Sequence, residues 1–255
     1  MKKHQLASLS WVELSEIEKA DKTVIIPLGS TEQQGPHNPI GVDFYVADHI
    51  ADIVAEASGS FVGPSLALGY SEWFLDYPGT VSLKMDTYTQ VLREYCSCLV
   101  HHGFRKIIFF NGHGGNTPAV DVVARELCFE HQAQVAMVEI WKVANSLAKN
   151  VPGLKENTVK HAGEIMTSIM LYLDPRKVNM QKAQAEYLKS VKPAFKAKST
   201  LGPAEFKGIE ISIYEEAQKL TASGAMGDPL AAAPEKGEII IEHLKSYLVD
   251  MVKSF

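Results

Sequence analysis

Short apolar runs alternate along the chain with segments of helical period. Residues 23–29 (TVIIPLG) form a continuous apolar run of strand length. Residues 43–57 then carry apolar positions at helical spacing, and 61–68 is a second strand candidate. Helical period returns over 86–102, followed by a strand at 105–110 (RKIIFF), a helix at 117–131 and a strand at 134–140 (QVAMVEI). Helices are predicted again over 161–173 and, at the end of the chain, over 235–253. Strands alternating with helices predict an α/β fold with a parallel sheet covered on both faces. The uninterrupted runs VIIPL and IIFF agree, because such strands have no solvent face. Residues 175–229 break the rhythm with a stretch rich in Lys, Ala and Gln that contains Gly202-Pro203. They read as a peripheral insertion, either a lid or an oligomer contact, within a single domain spanning 1–255.

Composition narrows the classes. With 46% hydrophobic and 22% charged residues, the 255-residue chain is of ordinary globular type and long enough to bury a core without staples. A net charge of -5 argues against a nucleic-acid partner, which needs a basic face. The three cysteines, Cys96, Cys98 and Cys128, have no framework spacing and read as inert thiols in a reducing compartment. The N-terminal residues lack the apolar core of a signal peptide, and no run is long enough to span a bilayer. A cytoplasmic location is the expectation.

Three polar clusters carry candidate chemistry. Glu32, Gln34, His37 and Asp43 lie in or just after the loop GSTEQQGPHNPIGVD, directly behind the first strand. Sites in open α/β sheets assemble at the carboxyl ends of strands, and two carboxylates with a histidine can converge on one cation there. Asp43 alone also fits a helix cap. The second cluster, Asn111–Asn116 (NGHGGN), follows RKIIFF and presents His113 between glycines. It suits a metal-ligating imidazole better than a phosphate cradle, since it has neither the GxGxxG spacing nor the P-loop lysine. In the third, His161 and Glu164 (HAGE) are three apart on one face of a helix start, as ligand and proton shuttle or simply as a helix terminus. Trp73, Phe74 and Tyr77 crowd a turn-rich loop and either line a pocket for a flat ring or bury that loop.

The order of these motifs, PLGSTEQQGPH with Asp43, then YPGT, FFNGHGGN, HAGE…TS and GDP…EKG, resembles the creatininase (creatinine amidohydrolase) family over roughly residues 20–245. The resemblance implies a three-layer α/β/α sandwich on a mixed, mostly parallel sheet, and a homo-oligomer, hexameric in creatininase itself. It implies a centre of one or two divalent metals, zinc foremost with manganese or iron as alternatives. Glu32, Asp43 and His113 match ligands, with Asp43 bridging. Gln34 and Glu164 match ligands of a second metal, and His161 and Glu164 match residues that handle protons. Trp73, Phe74, Tyr77 and His37 are left to contact substrate.

Four departures stand out. Gln34 replaces a histidine of the usual EQHGPH, Met166 a glutamate, and Phe74 a histidine, while Gly115 stands where creatininase has a ligating glutamate. They point away from creatinine as substrate. The expected function is a metal-dependent hydrolase whose activated water opens a cyclic amide or cleaves another C–N bond of a small molecule. A ring-opening C–C hydrolase of a cyclic keto-polyol, of the diketo-inositol type, is the alternative. A non-catalytic, degenerate family member is a third reading.

Overall fold

Four strands form a parallel sheet in the order β2-β1-β3-β4: β1 (Thr23–Leu28), β2 (Phe61–Val62), β3 (Lys106–Asn111) and β4 (Gln134–Glu139). The computed structural model describes residues 3–156, 158–190 and 192–255. Alternate strand residues face opposite sides of the sheet, so two cores form. Ile25, Ile108, Phe110 and Val138 pack under α2 (Val42–Ser58), α5 (Ile140–Leu147), α6 (Glu164–Leu173) and α8 (Pro234–Ser254). Val24, Ile26, Leu28, Ile107 and Phe109 pack under α3 (Met85–His101) and α4 (Thr117–His131). The result is the three-layer α/β/α sandwich. A short α1 (Trp11–Ser15), closed by a Ser10–Glu13 capping box, precedes it.

The strands of the main sheet are all parallel. Antiparallel pairing occurs beside it in the isolated bridge Thr31–Val81 and in a separate sheet of β5 (Phe195–Ala197), β6 (Pro203–Phe206) and β7 (Ile209–Ser212). The strand expected over 61–68 shrinks to two residues, because Gly63 and Pro64 interrupt the ladder and Leu66 rejoins only as a bridge to Leu28. The helix expected from 161 begins at Glu164, since Ala162 turns the chain with φ 55°. A further helix, α5, follows β4 without a loop. The segment 175–229 carries β5–β7 and the four-residue α7 (Ala217–Leu220). Its last part is less peripheral than the sequence suggests, because 221–228 reach back into the central crevice. Among the described residues, no helix is long and apolar enough to cross a membrane.

Helices α6 and α8 cross at a close approach that only glycine permits. A Cβ on Gly237 would lie 2.0 Å from the Ser168 carbonyl oxygen. In an open helix, alanine in place of glycine gains about 1 kcal/mol. At this contact backbone must move, so Gly237→Ala is expected to lower stability by about 1–3 kcal/mol. Urea unfolding checks this, and a midpoint at or above the parent's would refute the packing argument.

Candidate metal centre

The site lies where the winding of the sheet reverses. β2 flanks β1 on one side and β3 flanks it on the other, which opens a crevice beyond the carboxyl ends of β1 and β3. The two strands end level, with Leu28 opposite Asn111, and the Gly112 N–H donates to the Leu28 carbonyl at 2.7 Å. Gly29 lets α2 come against this edge, as a Cβ there would sit 2.3 Å from the Phe44 Cα. Asp43, the second residue of α2, is thereby pushed into the crevice. It does not cap the helix, since Gly41 holds the cap position. The asparagines of NGHGGN are braces. The Asn116 Nδ2 donates to the Gly29 carbonyl at 3.0 Å, and its Oδ1 accepts the Tyr70 N–H at 3.1 Å. The Asn111 Oδ1 accepts the His113 N–H at 3.2 Å.

Glu32, Asp43 and His113 converge here, all buried, with one donor atom from each within 4.8 Å of the others. The His113 Nδ1 lies 3.1 Å from the Asp43 Oδ2 and 3.4 Å from the Glu32 Oε1. Its Nε2 lies 2.9 Å from the Tyr70 carbonyl oxygen, which can only accept, so Nε2 carries the proton. The neutral ring then turns an Nδ1 lone pair toward two carboxylates. That arrangement calls for a proton or a cation between them. His161 repeats the device. Its Nε2 donates to the Gln33 carbonyl at 2.8 Å, and its Nδ1 stands 3.8 Å from the Glu32 Oε1. Glu32 thus sits between the Nδ1 atoms of two histidines, each tethered through Nε2 to a backbone carbonyl. Such outer tethers are how proteins orient ligating imidazoles.

The charge balance agrees with a cation. Among the described residues, the ion pairs of Glu32 and Asp43 are with histidines alone. Burial pushes the Glu32 carboxyl up, yet His113, His161 and Ser71 beside it together outweigh burial and hold it below the usual range. Burial pushes the Asp43 carboxyl up. Burial would lower His113, but Glu32 and Asp43 together raise it well above its ordinary value. Without a cation, His113 therefore keeps a proton that metal binding would displace. A second observation fits. Gln34 is fully buried, and both its Oε1 and its Nε2 lack partners among the described residues. Buried polar atoms of this kind call for a partner, whether water, ion or substrate.

Other residues singled out in the sequence are placed as follows. Trp73 stacks on His113, with ring centroids 5.9 Å apart, and its buried Nε1 has no partner among the described residues. Phe74 is buried and stacks on His161 at 5.0 Å. The loop is buried by packing its aromatic rings on the site histidines. The Tyr77 hydroxyl, pushed up to about 12 by burial and by Glu186 and Asp76, donates to the Thr221 carbonyl at 2.7 Å. His37 is held on α6 by Thr167, 2.9 Å from its Nε2. Met166 lies in the core.

The structure does not bring Glu164 to the cluster. Its Oε2 accepts the N–H groups of Lys155 and Glu156 at 2.8 Å each, and its Oε1 binds Lys236 Nζ at 2.5 Å. The carboxylate is consumed by the helix start and α8. Glu156 returns the favour by accepting the Glu164 N–H at 2.7 Å.

Several contributors have no sequence signal, namely the Tyr70 and Gln33 carbonyls and the segment 221–228. The Gln33 Nε2 donates to the Gly224 carbonyl, and the Met226 N–H donates to the His161 carbonyl. Trp141, whose Nε1–H is shared between the Gly112 carbonyl at 2.5 Å and the Asp43 Oδ1 at 3.1 Å, did leave a clue in standing just past a strand end.

An α/β/α sandwich whose switch-point crevice holds buried carboxylates and tethered imidazoles is the scaffold of a metal-using enzyme. Comparison with known proteins gives it a family: the chain belongs to the creatininase family, described as creatinine amidohydrolase, which it matches over residues 7–252. Membership places it among hydrolases. It is 25% identical to a creatinine amidohydrolase of Pseudomonas putida, covering 97% of this chain and 95% of that protein. It is 28% identical to a mycofactocin precursor peptide peptidase of Mycolicibacterium smegmatis (90% and 84% covered) and to a 3-dehydro-scyllo-inosose hydrolase of Thermotoga maritima (96% and 81%). A crystal structure of creatininase superposes with a TM-score of 0.80 at 24% identity, covering 98% of this chain and 97% of that one. Other creatininase structures are of a Zn–Zn type and a Mn form.

The buried His37 makes a pH dependence. Burial lowers it from its usual 6.5 to about 4. Between those values the unfolded chain binds a proton that the folded chain refuses, so this contribution is present above pH 6.5 and is lost as pH falls toward 4. At about 1.4 kcal/mol per pH unit, the loss amounts to about 3 kcal/mol. His37→Asn is expected to reduce the difference in unfolding free energy between pH 7 and pH 4 by that order. An unchanged difference would show that His37 does not govern it.

Proposed function

We propose that the protein is a metal-dependent hydrolase that opens a small cyclic amide or cleaves a related C–N bond. The observation that carries this reading is the convergence of the His113 Nδ1 on two buried carboxylates whose ion pairs, among the described residues, are with histidines and with no lysine or arginine. A divalent cation held by Glu32, Asp43 and His113 supplies Lewis acidity toward a carbonyl oxygen and brings the pKa of water toward neutrality. Zinc is the first choice, because three protein ligands with an open position are the pattern of catalytic zinc; manganese or iron also suit such donors.

The chain's own residues do the rest. Tyr70 and Gln33 fix the tautomers of His113 and His161 through their carbonyls. His161, with its Nδ1 lone pair beside Glu32, would take the proton released by the attacking water and pass it to the nitrogen as the C–N bond breaks. Trp73 and Phe74 cover the two imidazoles and exclude water. The Gln34 carboxamide, buried with donor and acceptor both free, is complementary to the N–H and C=O edge of a cis-amide, the edge a lactam or cyclic urea presents. Assembly into a homo-oligomer in the cytoplasm completes the reading, with light scattering as the measure of size.

His113→Ala is expected to lose both the bound metal and turnover, as read by elemental analysis and assay of the same preparation. Full metal occupancy in that variant would overturn the assignment. His161→Ala is expected to keep the metal and lose about 10²–10⁴ in kcat. Substrate class is read by a panel of cyclic amides and cyclic ketones. Release of a ring-opened amino product supports the proposal. A ring-opened keto acid formed only from cyclic ketones would move it to C–C hydrolysis, and inertness of the metal-loaded protein to both would favour a non-catalytic role.

A further inference from the structure

Two-metal members of this family, such as the Zn–Zn creatininase, raise the question of how many cations this chain can hold. We infer that it holds one, bound by Glu32, Asp43 and His113, because each position that could complete a second site is withdrawn by a different physical cause. The inference rests on the proposed metal centre and concerns its nuclearity.

The first withdrawal is at Gly115, which has no side chain and no room for one. A Cβ there would meet the Tyr70 carbonyl oxygen at 2.3 Å, the Trp73 Cη2 at 2.4 Å and the His113 Nε2 at 2.5 Å. The stacked indole of Trp73 fills the space from which another ligand would reach in. The second is at Glu164, whose two oxygens are committed to two backbone N–H groups and to Lys236, a protein cation already bonded to it. Releasing that carboxylate would strand a lysine only 17% exposed. The third is at Gln34, a neutral carboxamide and a weak ligand beside imidazole or carboxylate.

The shared carboxylate is also compromised. A bridging Asp43 needs an oxygen for each cation. Its Oδ2 faces His113, while its Oδ1 shares the one Trp141 indole N–H with the Gly112 carbonyl, so part of that oxygen is already engaged. What is left for such an ion is half of one carboxylate and one amide, since the His161 Nδ1 faces the same Glu32 Oε1 that His113 faces, on the first ion's side, and that is too few donors for a zinc-like cation. Among the described residues, no other group of three or more His, Cys, Asp or Glu side chains converges as Glu32, Asp43 and His113 do. One ion with three protein ligands keeps an open coordination position, and Gln34 stays free for the substrate.

The test loads chelator-stripped protein with Mn²⁺ alone, then reads stoichiometry by equilibrium dialysis and the ion's environment by electron paramagnetic resonance. The expected result is about one Mn²⁺ per chain, with the six-line spectrum of an isolated ion. Two per chain with an exchange-coupled spectrum would overturn the single-ion inference and leave the metal centre standing. No binding of Mn²⁺, or of Zn²⁺ in a parallel titration, would remove the centre itself and the inference with it. As a second reading, Glu164→Gln is expected to keep one Mn²⁺ per chain with an unchanged spectrum. A folded Glu164→Gln protein that loses the ion would make Glu164 a ligand and defeat the argument.

Discussion

Everything in the crevice answers to one electrostatic constraint: two carboxylates are buried within reach of each other, with no lysine or arginine among the described residues to balance them. Burying an unpaired ionised group costs several kcal/mol even after relaxation. The fold meets this with imidazoles held by their far nitrogens, so that the near nitrogens face Glu32. The braces around them follow from the same need. Asn116 ties the first and third strand loops to Tyr70, and Tyr70 in turn orients His113. Such rigidity is useful to a catalyst, because a charge held in place need not reorganise when the substrate's charge changes.

The layers and the location of the site were legible in the sequence. Continuous apolar strands announced a doubly covered sheet, and polar loops behind two of them announced a site. What pattern cannot show is which strands are neighbours, and so why the loops after β1 and β3 meet. Glu164 illustrates a different limit. Its spacing from His161 is right for a shared face, but the turn at Ala162 separates the two and the nearest cation, Lys236, comes from a helix 72 positions away. The Tyr70 and Gln33 carbonyls are invisible for a simpler reason: every residue has one. The segment 221–228 meets the site through backbone groups, the Gly224 carbonyl and the Met226 N–H.

The departures from the family pattern look less like decay when they are taken together. Phe74 exchanges polar reach for a stack on His161, and Gly115 makes room for the Trp73 stack on His113. Met166 joins the core beneath α6. A chain losing its function would accumulate changes without mutual fit, whereas these fit one another and leave the Glu32, Asp43 and His113 cluster whole.

The spread of the site along the chain has a consequence for how it is made. Glu32, Asp43 and His113 have all been synthesised by the time residue 113 emerges, but the wall formed by 221–228 lies roughly 110 residues further on. At about 5–20 residues per second, the ribosome takes on the order of 5–20 s to supply that wall. A nascent chain therefore presents its donors while the crevice is still open on one side.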